Sequence, residues 1–174
     1  MPSIREIAQL GHPVLRKIAE PVAEINDSVQ QLIDDLFATS EAANGAGIAA
    51  PQVHVSSRVF ILSIKPSPRY PEAPELEPTA VINPEILWAS DTLEKDWEGC
   101  LSVPGIRGRV PRPDAIRVRY LTRDGEIEER EFTGFAARVF LHENDHLEGM
   151  TWLDHVEDNR DIVSEQEFMK LLLS

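Results

Sequence analysis

The sequence predicts a single α+β domain. Segments with helical periodicity and segments with strand-like alternation are mixed along the chain, without the regular succession that a parallel α/β sheet requires. The 174 residues are 42% hydrophobic and 27% charged, which suits one soluble domain with its own core over residues 1–174. No internal repeat or low-complexity tract divides the chain.

The first predicted element is a helix preceded by capping residues at 26–28. Its apolar residues recur at helical spacing and are Val29, Leu32, Ile33, Leu36 and Phe37. Gly45 can end this helix, which we expect to lie against a sheet. Residues 65–78 contain five prolines, which exclude a helix interior or a central strand and predict an exposed loop.

Short segments rich in β-branched or alternating residues are predicted to be strands, and they are residues 58–64, 80–82, 115–121 and 127–132. The turn sequence at 123–125, RDG, joins the last two into a hairpin. A second helix is expected over residues 134–147, where Gly149 stops it. A third begins at Ser164, because Ser164 and Glu167 have the spacing of a capping box.

Charge and composition exclude several classes of protein. Thirty acidic residues against seventeen basic ones give a net charge of -13, which disfavours a direct grip on nucleic-acid phosphates. No apolar run approaches the roughly 18 residues of a membrane span, and the N-terminus lacks the apolar stretch of a secretory signal. Cys100 is the only cysteine, so an internal disulfide is excluded. We therefore expect a cytoplasmic protein without a membrane partner.

The second predicted helix carries an HExxH pattern that begins at His142. Residues four apart lie on one helix face, so His142 and His146 can share a divalent ion. At about 100° per residue, Phe135 and Val139 fall on the same stripe. Glu143 is placed to exchange a proton with a metal-bound water. A surface helix with two incidental histidines gives the same short pattern, so the motif alone leaves its function open.

A catalytic metal site of this type needs a third protein ligand and an open position. Cys100, in the segment EGCLSVP at residues 98–104, is the candidate. A lone cysteine can equally be an inert core residue, so the residue types leave both interpretations open.

Three segments considered together resemble the signature motifs of the peptide deformylase family. GAGIAAPQ at 45–52, EGCLS at 98–102 and HENDH at 142–146 match GxGxAAxQ, EGCLS and HExDH in the family's order and approximate spacing. GHPVLR at 11–16 and VPR at 110–112 extend the resemblance over nearly the whole chain. The resemblance implies mixed, mainly antiparallel sheets packed around a central helix that carries the HExDH motif.

The resemblance also implies a metal-dependent hydrolase that removes the N-formyl group from the initiator methionine of newly synthesised polypeptides and releases formate. Cys100, His142 and His146 would bind one divalent ion, which the family resemblance indicates to be iron(II). Thiolate and imidazole ligands also suit zinc, nickel or cobalt, so a purified sample can hold one of these instead.

Roles for further residues follow from the same resemblance. Glu143 would be the general base and acid, while the Gln52 side chain and the Leu101 backbone N–H would stabilise the oxyanion. Glu98 and Asp145 are expected behind the ligands, where they would fix ligand orientation.

The substrate-binding residues that we predict are Gly47, Arg107, Phe135 and Val139. By the resemblance, the Gly47 region would pair with the substrate peptide as a strand, and Arg107 would lie on the substrate side. Phe135 and Val139, from the ligand face of the second helix, would form the wall for the methionine side chain.

The sequence departs from the family pattern at a few places. Leu141 replaces a common glutamine, and Pro51 replaces a common threonine. Some family members carry a basic C-terminal helix for ribosome contact, whereas residues 157–174 hold five acidic residues against Arg160 and Lys170. We expect proximity to ribosomes without that docking helix.

Two alternatives remain from other functional classes. One is an amidase in which Cys100 attacks as a thiolate with a histidine base, a mechanism that needs no metal. The other is a non-catalytic module that holds a metal structurally and binds nascent chains.

Overall fold

The computed structural model describes residues 1–174 and confirms the α+β class. Its helices are α1 (Asp27–Ala42), α2 (Gly134–Leu147) and α3 (Glu165–Leu173). Its strands are β1 (Gly47–Ala49), β2 (Val59–Leu62), β3 (Thr79–Ala89), β4 (Leu93–Cys100), β5 (Val103–Pro113), β6 (Ala115–Leu121), β7 (Ile127–Thr133) and β8 (Ile162–Ser164). None of the helices combines the length and apolar character that crossing a membrane requires.

Two antiparallel sheets surround α2. The larger has the order β1-β2-β3-β6-β7, and the smaller has the order β4-β5-β8. Helix α2 contacts strands of both sheets, including β1, β2 and β7 of the larger and β5 of the smaller. The helix with the HExxH pattern is therefore the central element, as the resemblance implied.

Strand β2 separates two apolar cores because its side chains alternate between the faces of the larger sheet. Phe60 and Leu62 belong to the core beneath α2, while Val59 and Ile61 belong to the core beneath α1. In the first core, the Phe140 ring of α2 packs edge-on against Phe60 at 5.0 Å between centroids. The sheet thus has no solvated face at β2, and all of its residues are buried.

The helix boundaries agree with the sequence analysis in most places. Helix α2 has the predicted bounds, and Gly149 follows it in the left-handed region at φ +73°. A Cβ at residue 149 would lie 2.7 Å from the Arg16 carbonyl oxygen, so the glycine is also required sterically. Ser164 caps α3 by accepting from the Glu167 N–H at 3.1 Å. Helix α1 ends at Ala42, before the predicted Gly45.

The smaller sheet was missed in the sequence analysis because β5 contains three prolines. Pro104, Pro111 and Pro113 lack N–H groups, which argues against a central strand. Strand β8 pairs with β5 only over residues 106–108, so none of the prolines lies opposite this second neighbour. The prolines are tolerated because they lie where β5 has β4 as its neighbour on one edge and no paired strand on the other.

The remaining strand predictions were nearly correct in position. The hairpin of β6 and β7 is confirmed, while β3 is much longer than the predicted 80–82. Residues 65–78 form neither helix nor strand, as their prolines predict.

We expect Phe60→Ala to lower the free energy of unfolding by about 3 to 5 kcal/mol, since it removes a fully buried ring from the core beneath α2. Urea denaturation at equal metal content measures the change. Ile127→Ala, at a side chain that is 71% exposed, is the control and should shift stability by less than about 0.5 kcal/mol. Equal effects of both variants would contradict this description of the core.

Candidate active site

Three potential metal ligands converge where the end of β4 meets α2. Cys100, His142 and His146 each offer one donor atom, and these atoms lie within 4.8 Å of one another. The Cys100 Sγ is 3.4 Å from His146 Nε2. Two imidazoles and one thiol match a divalent transition metal, and three protein ligands leave one coordination position open.

The electrostatics of this cluster favour the thiolate form of Cys100. Burial alone would raise the pKa of the thiol. Charge from His146 and hydrogen bonds from His142 and His146 outweigh burial and hold that pKa well below its usual range. Since the thiolate is the form that binds metals, the cluster is suited to hold one.

Glu98 lies behind His142 and fixes its ring. Glu98 Oε1 is 2.8 Å from His142 Nδ1, which leaves Nε2 as the ring nitrogen available to a metal. The same carboxylate accepts from Arg112 Nε at 2.8 Å and from Arg138 Nη1 at 2.8 Å. Burial alone would raise the pKa of Glu98, but the hydrogen bonds and charge of Arg112 lower it, so the group stays ionised.

Arg112 also joins Glu98 to Asp145. Its Nη1 donates to Asp145 Oδ2 at 2.6 Å, and His155 Nε2 lies 2.9 Å from the same oxygen. Burial would raise the pKa of Asp145, but contacts with His155 and Arg112 lower it. Both acidic residues that the sequence placed behind the ligands therefore lie in one buried network.

No sequence pattern predicted a role for Arg112 or Arg138. Arg138 lies within an otherwise apolar run of α2 and is 6% exposed. A charged residue is almost never this buried without a partner, and that rule is the signal that could have singled it out. Besides Glu98, Arg138 donates to the Val110 and Glu94 carbonyl oxygens.

Glu143 is a buried carboxyl group in the cleft beside the ligands. Its Oε1 has no hydrogen-bond partner in the chain, and burial raises its pKa to about 7. Gly47 lies directly against it, because a Cβ at residue 47 would be 3.0 Å from Glu143 Oε2 and 2.8 Å from the Ile61 carbonyl oxygen. The glycine predicted to bind substrate thus also makes space for this carboxyl group.

The Gln52 amide is oriented towards Cys100. Its Oε1 accepts from the Ala49 N–H at 2.9 Å, and its Nε2 lies 3.2 Å from Ser102 Oγ and 3.5 Å from Cys100 Sγ. The Leu101 N–H donates to no acceptor among the turns and loops of the chain. The Leu101 N–H is therefore available as a donor, whereas the Gln52 Nε2 donates to Ser102 and Cys100 beside the ligand cluster.

The N-terminal segment ties these two donor loops together. The Ala8 N–H donates to the Gln52 carbonyl oxygen at 2.7 Å, and the Leu10 N–H donates to the Ser102 carbonyl oxygen at 2.9 Å. Gln9 Nε2 lies 3.3 Å from the Leu101 carbonyl oxygen. The loops that carry Gln52 and Leu101 are thus held at a fixed separation.

A cleft of about 650 Å³ opens onto the ligand cluster. It is lined by Gln52, Cys100, His142 and Glu143, and also by the two residues predicted as an apolar wall, Phe135 and Val139. Arg107 lines the cleft too, but its guanidinium donates to Tyr70 and Glu165 within the chain.

The two departures from the family pattern have structural explanations. Leu141 belongs to the core beneath α2, where an apolar side chain fits the surrounding packing. Pro51 lies in a short 3-10 helix, Ala50–Val53, whose geometry accepts proline near its start. Neither change displaces the ligand cluster.

Comparisons with known proteins agree with this geometry. The family model described as polypeptide deformylase matches residues 4–161. A protein of a Nostoc species named peptide deformylase 2 is 52% identical over 172 residues, covering 98% of this chain and 96% of its own length. A peptide deformylase 2 of Shewanella oneidensis is 47% identical over 148 residues, covering 85% of this chain and 82% of its own.

Solved structures give the same result. A class I type b peptide deformylase from Acinetobacter baumannii, bound to Met-Ala-Ser, superposes with a TM-score of 0.88 at 43% identity, over 90% of this chain and 100% of that one. A peptide deformylase from Thermotoga maritima has a TM-score of 0.81 at 38% identity, over 90% of this chain and 99% of that one. With a convergent Cys-His-His cluster, a matching fold and a matching sequence, this chain belongs to the polypeptide deformylase family.

Proposed function

We propose that this chain, an enzyme of the deformylase family, hydrolyses the formyl amide of newly synthesised polypeptides at a divalent metal held by Cys100, His142 and His146. The observation that carries the proposal is the convergence of these donors at one cleft that also contains Glu143 and Gln52. All proposed residues belong to one catalytic domain over residues 1–174. The products are formate and a peptide with a free amino terminus.

The donor set fits a metal by its chemistry. Cys100 is held as a thiolate, and Glu98 leaves the outer nitrogen of His142 free. A divalent ion held there supplies Lewis-acid chemistry, which makes water nucleophilic near neutral pH. We propose iron(II) as the ion in the cell, on the family resemblance, and zinc, nickel or cobalt as ions that purified samples can contain.

Glu143 is the proposed general base and acid. Its free, buried Oε1 can take a proton from the attacking water and return it to the leaving amine. Burial raises the pKa of Glu143 above the usual range of a carboxyl group, which makes it a better proton acceptor near neutral pH.

Gln52 and Leu101 are the proposed oxyanion donors. The formyl oxygen becomes negatively charged as the carbon is attacked, and donors already in place stabilise that charge without reorganising. Ala49 holds the Gln52 amide in orientation, and the N-terminal segment holds both loops. This rigidity supports the role of the two donors.

The cleft suits a peptide that begins with formyl-methionine. Phe135 and Val139 supply an apolar wall for the methionine side chain, and Gly47 allows the peptide backbone to approach as a strand. The Acinetobacter baumannii relative was solved with a bound peptide that begins with methionine, which supports the same occupant here.

Nascent chains are the proposed partners, and the cytoplasm is the proposed compartment. Helix α3 carries Glu165 and Glu167 against Lys170, which does not favour ribosome contact through a basic terminal helix. The net charge of -13 does not favour a direct grip on nucleic acid either.

One observation favours a second candidate. Cys100 Sγ lies 3.4 Å from His146 Nε2, so a cysteine-nucleophile amidase could use the same pair without a metal. A non-catalytic binding module has no comparable support, because it has no use for the unpartnered carboxyl group of Glu143.

We expect Glu143→Gln to reduce turnover of a formyl-Met peptide by at least about 100-fold, because the amide cannot shuttle the proton. Metal content, measured by elemental analysis, should stay at the wild-type level. The exposed Glu131→Gln is the matched control and should retain full activity. Full activity of the Glu143 variant would refute the assigned role.

Chelation should abolish formate release, and adding iron(II) without oxygen should restore it. The assay separates the two candidates, since an enzyme that uses Cys100 as the nucleophile would stay active without metal. Mass spectrometry of the enzyme during turnover provides the second readout. An acyl-cysteine at residue 100, together with activity in chelator, would favour the second candidate.

Gln52→Leu should lower kcat by about 100- to 1,000-fold with the metal retained, since it removes one oxyanion donor. Steady-state kinetics on a formyl-Met peptide measures the change, and Gln166→Leu, at an exposed position on α3, is the control. A Gln52 variant with unchanged kcat would show that the amide does not contact the transition state.

A further inference from the structure

Arg107 holds together two segments that the catalytic motifs do not include. It projects from β5, and its guanidinium lies over the rings of both Tyr70 and Phe168, at 5.6 Å and 5.2 Å from their centroids. Tyr70 belongs to the proline-rich loop at 65–78, while Phe168 belongs to α3. A single side chain therefore connects β5, this loop and the last helix.

Glu165 binds this arginine and also contacts the loop directly. Arg107 Nε donates to Glu165 Oε2 at 2.8 Å, and Arg107 Nη1 donates to the Tyr70 hydroxyl at 2.7 Å. Arg69, the residue before Tyr70, lies 3.4 Å from Glu165 Oε1. Because the Arg107 side chain is only 7% exposed, its charge needs the Glu165 carboxylate as a partner.

The loop itself has little structure that could hold Tyr70 in place. It forms no helix or strand, and its own hydrogen bonds are confined to a turn between Ser67 and Tyr70 and a bond from Ala73 to Tyr70. The Leu76 N–H also donates to the carbonyl oxygen of Ile64, the residue just before the loop. The hydrogen bond from Arg107 is therefore the polar contact that fixes the Tyr70 side chain, and Glu165 acts on it through Arg107.

Tyr70 in turn packs against the apolar wall of the cleft. Its ring is 4.9 Å from the Phe135 ring, and both residues line the cleft together with Arg107 and Glu165. The Arg107 guanidinium also lies directly over Gly99, where a Cβ would be 2.4 Å from its Cζ. The connected side chains thus border the space between Phe135 and the strand that carries Cys100.

We propose that Glu165 and Arg107 are positioning residues that hold Tyr70 against Phe135, and that Tyr70 thereby determines which first side chains the cleft accepts. The inference rests on the proposed function. Glu165 acts through Arg107 and touches neither the reacting atoms nor the ligand cluster. Its role is to select the substrate side chain, and the chemical step does not depend on it.

The test measures kcat and KM for formyl dipeptides with methionine, alanine or phenylalanine as the first residue. Glu165→Gln keeps the side-chain volume and removes the charge. We expect KM for the methionine substrate to rise while kcat stays near the wild-type value. The preference for methionine over the other two residues should fall by about 10-fold, a magnitude typical of small changes in an apolar pocket.

Glu167→Gln is the matched control, because Glu167 lies on the same helix and pairs only with the exposed Lys170. It should keep the wild-type preference. Tyr70→Phe, which removes only the hydroxyl, is the second variant and should reproduce the effect of Glu165→Gln. The double variant should be no worse than either single one, since both break one connection.

The outcomes are distinct. An unchanged preference in both Glu165→Gln and Tyr70→Phe overturns the inference, as does an equal loss of kcat on every substrate. Thermal denaturation shows whether each variant is folded. If Glu165→Gln does not fold, the substrate preference of Tyr70→Phe decides whether the inference holds. Wild-type protein that releases no formate from the methionine peptide would instead count against the proposed function.

Discussion

The buried carboxylate of Glu98 is the constraint on which the rest of the site depends. It comes from β4 and fixes His142 of α2, and it can stay ionised in the interior only because Arg112 and Arg138 surround it. These arginines come from β5 and α2, so one charge network holds the smaller sheet on the central helix. Removing any partner would leave an uncompensated buried charge, which is far more costly than losing an exposed pair.

Two carboxyl groups near the same ligand behave differently because their surroundings differ. Glu98 accepts from two arginines and a histidine, which keeps its pKa low. Glu143 is equally buried but lacks a partner for one oxygen, and its pKa rises to about 7. The same residue type thus supplies an ionised carboxylate at one position and a carboxyl group with a raised pKa at the other, through the placement of donors.

The parts predictable from sequence are those in which a local pattern determines the structure. The periodicity and glycine stop of α2 define its bounds, and the spacing of His142 and His146 identifies it as the helix of the candidate metal ligands. The smaller sheet was not predicted because β5 contains prolines. Whether a strand tolerates proline depends on which of its edges pair with other strands, and this pairing is a non-local property. The contacts of Arg138 and Glu165 join residues distant in sequence, and no local pattern encodes such partners.

The hydrogen bonds that tie the N-terminal segment to the donor loops come from the backbone at residues 8 and 10. A main-chain N–H is supplied by every residue type except proline. Substitutions in this segment can therefore accumulate while the contacts to the Gln52 and Ser102 loops persist. Sequence variability there is thus compatible with a supporting role in the site, and identity between relatives is a poor measure of which segments maintain it.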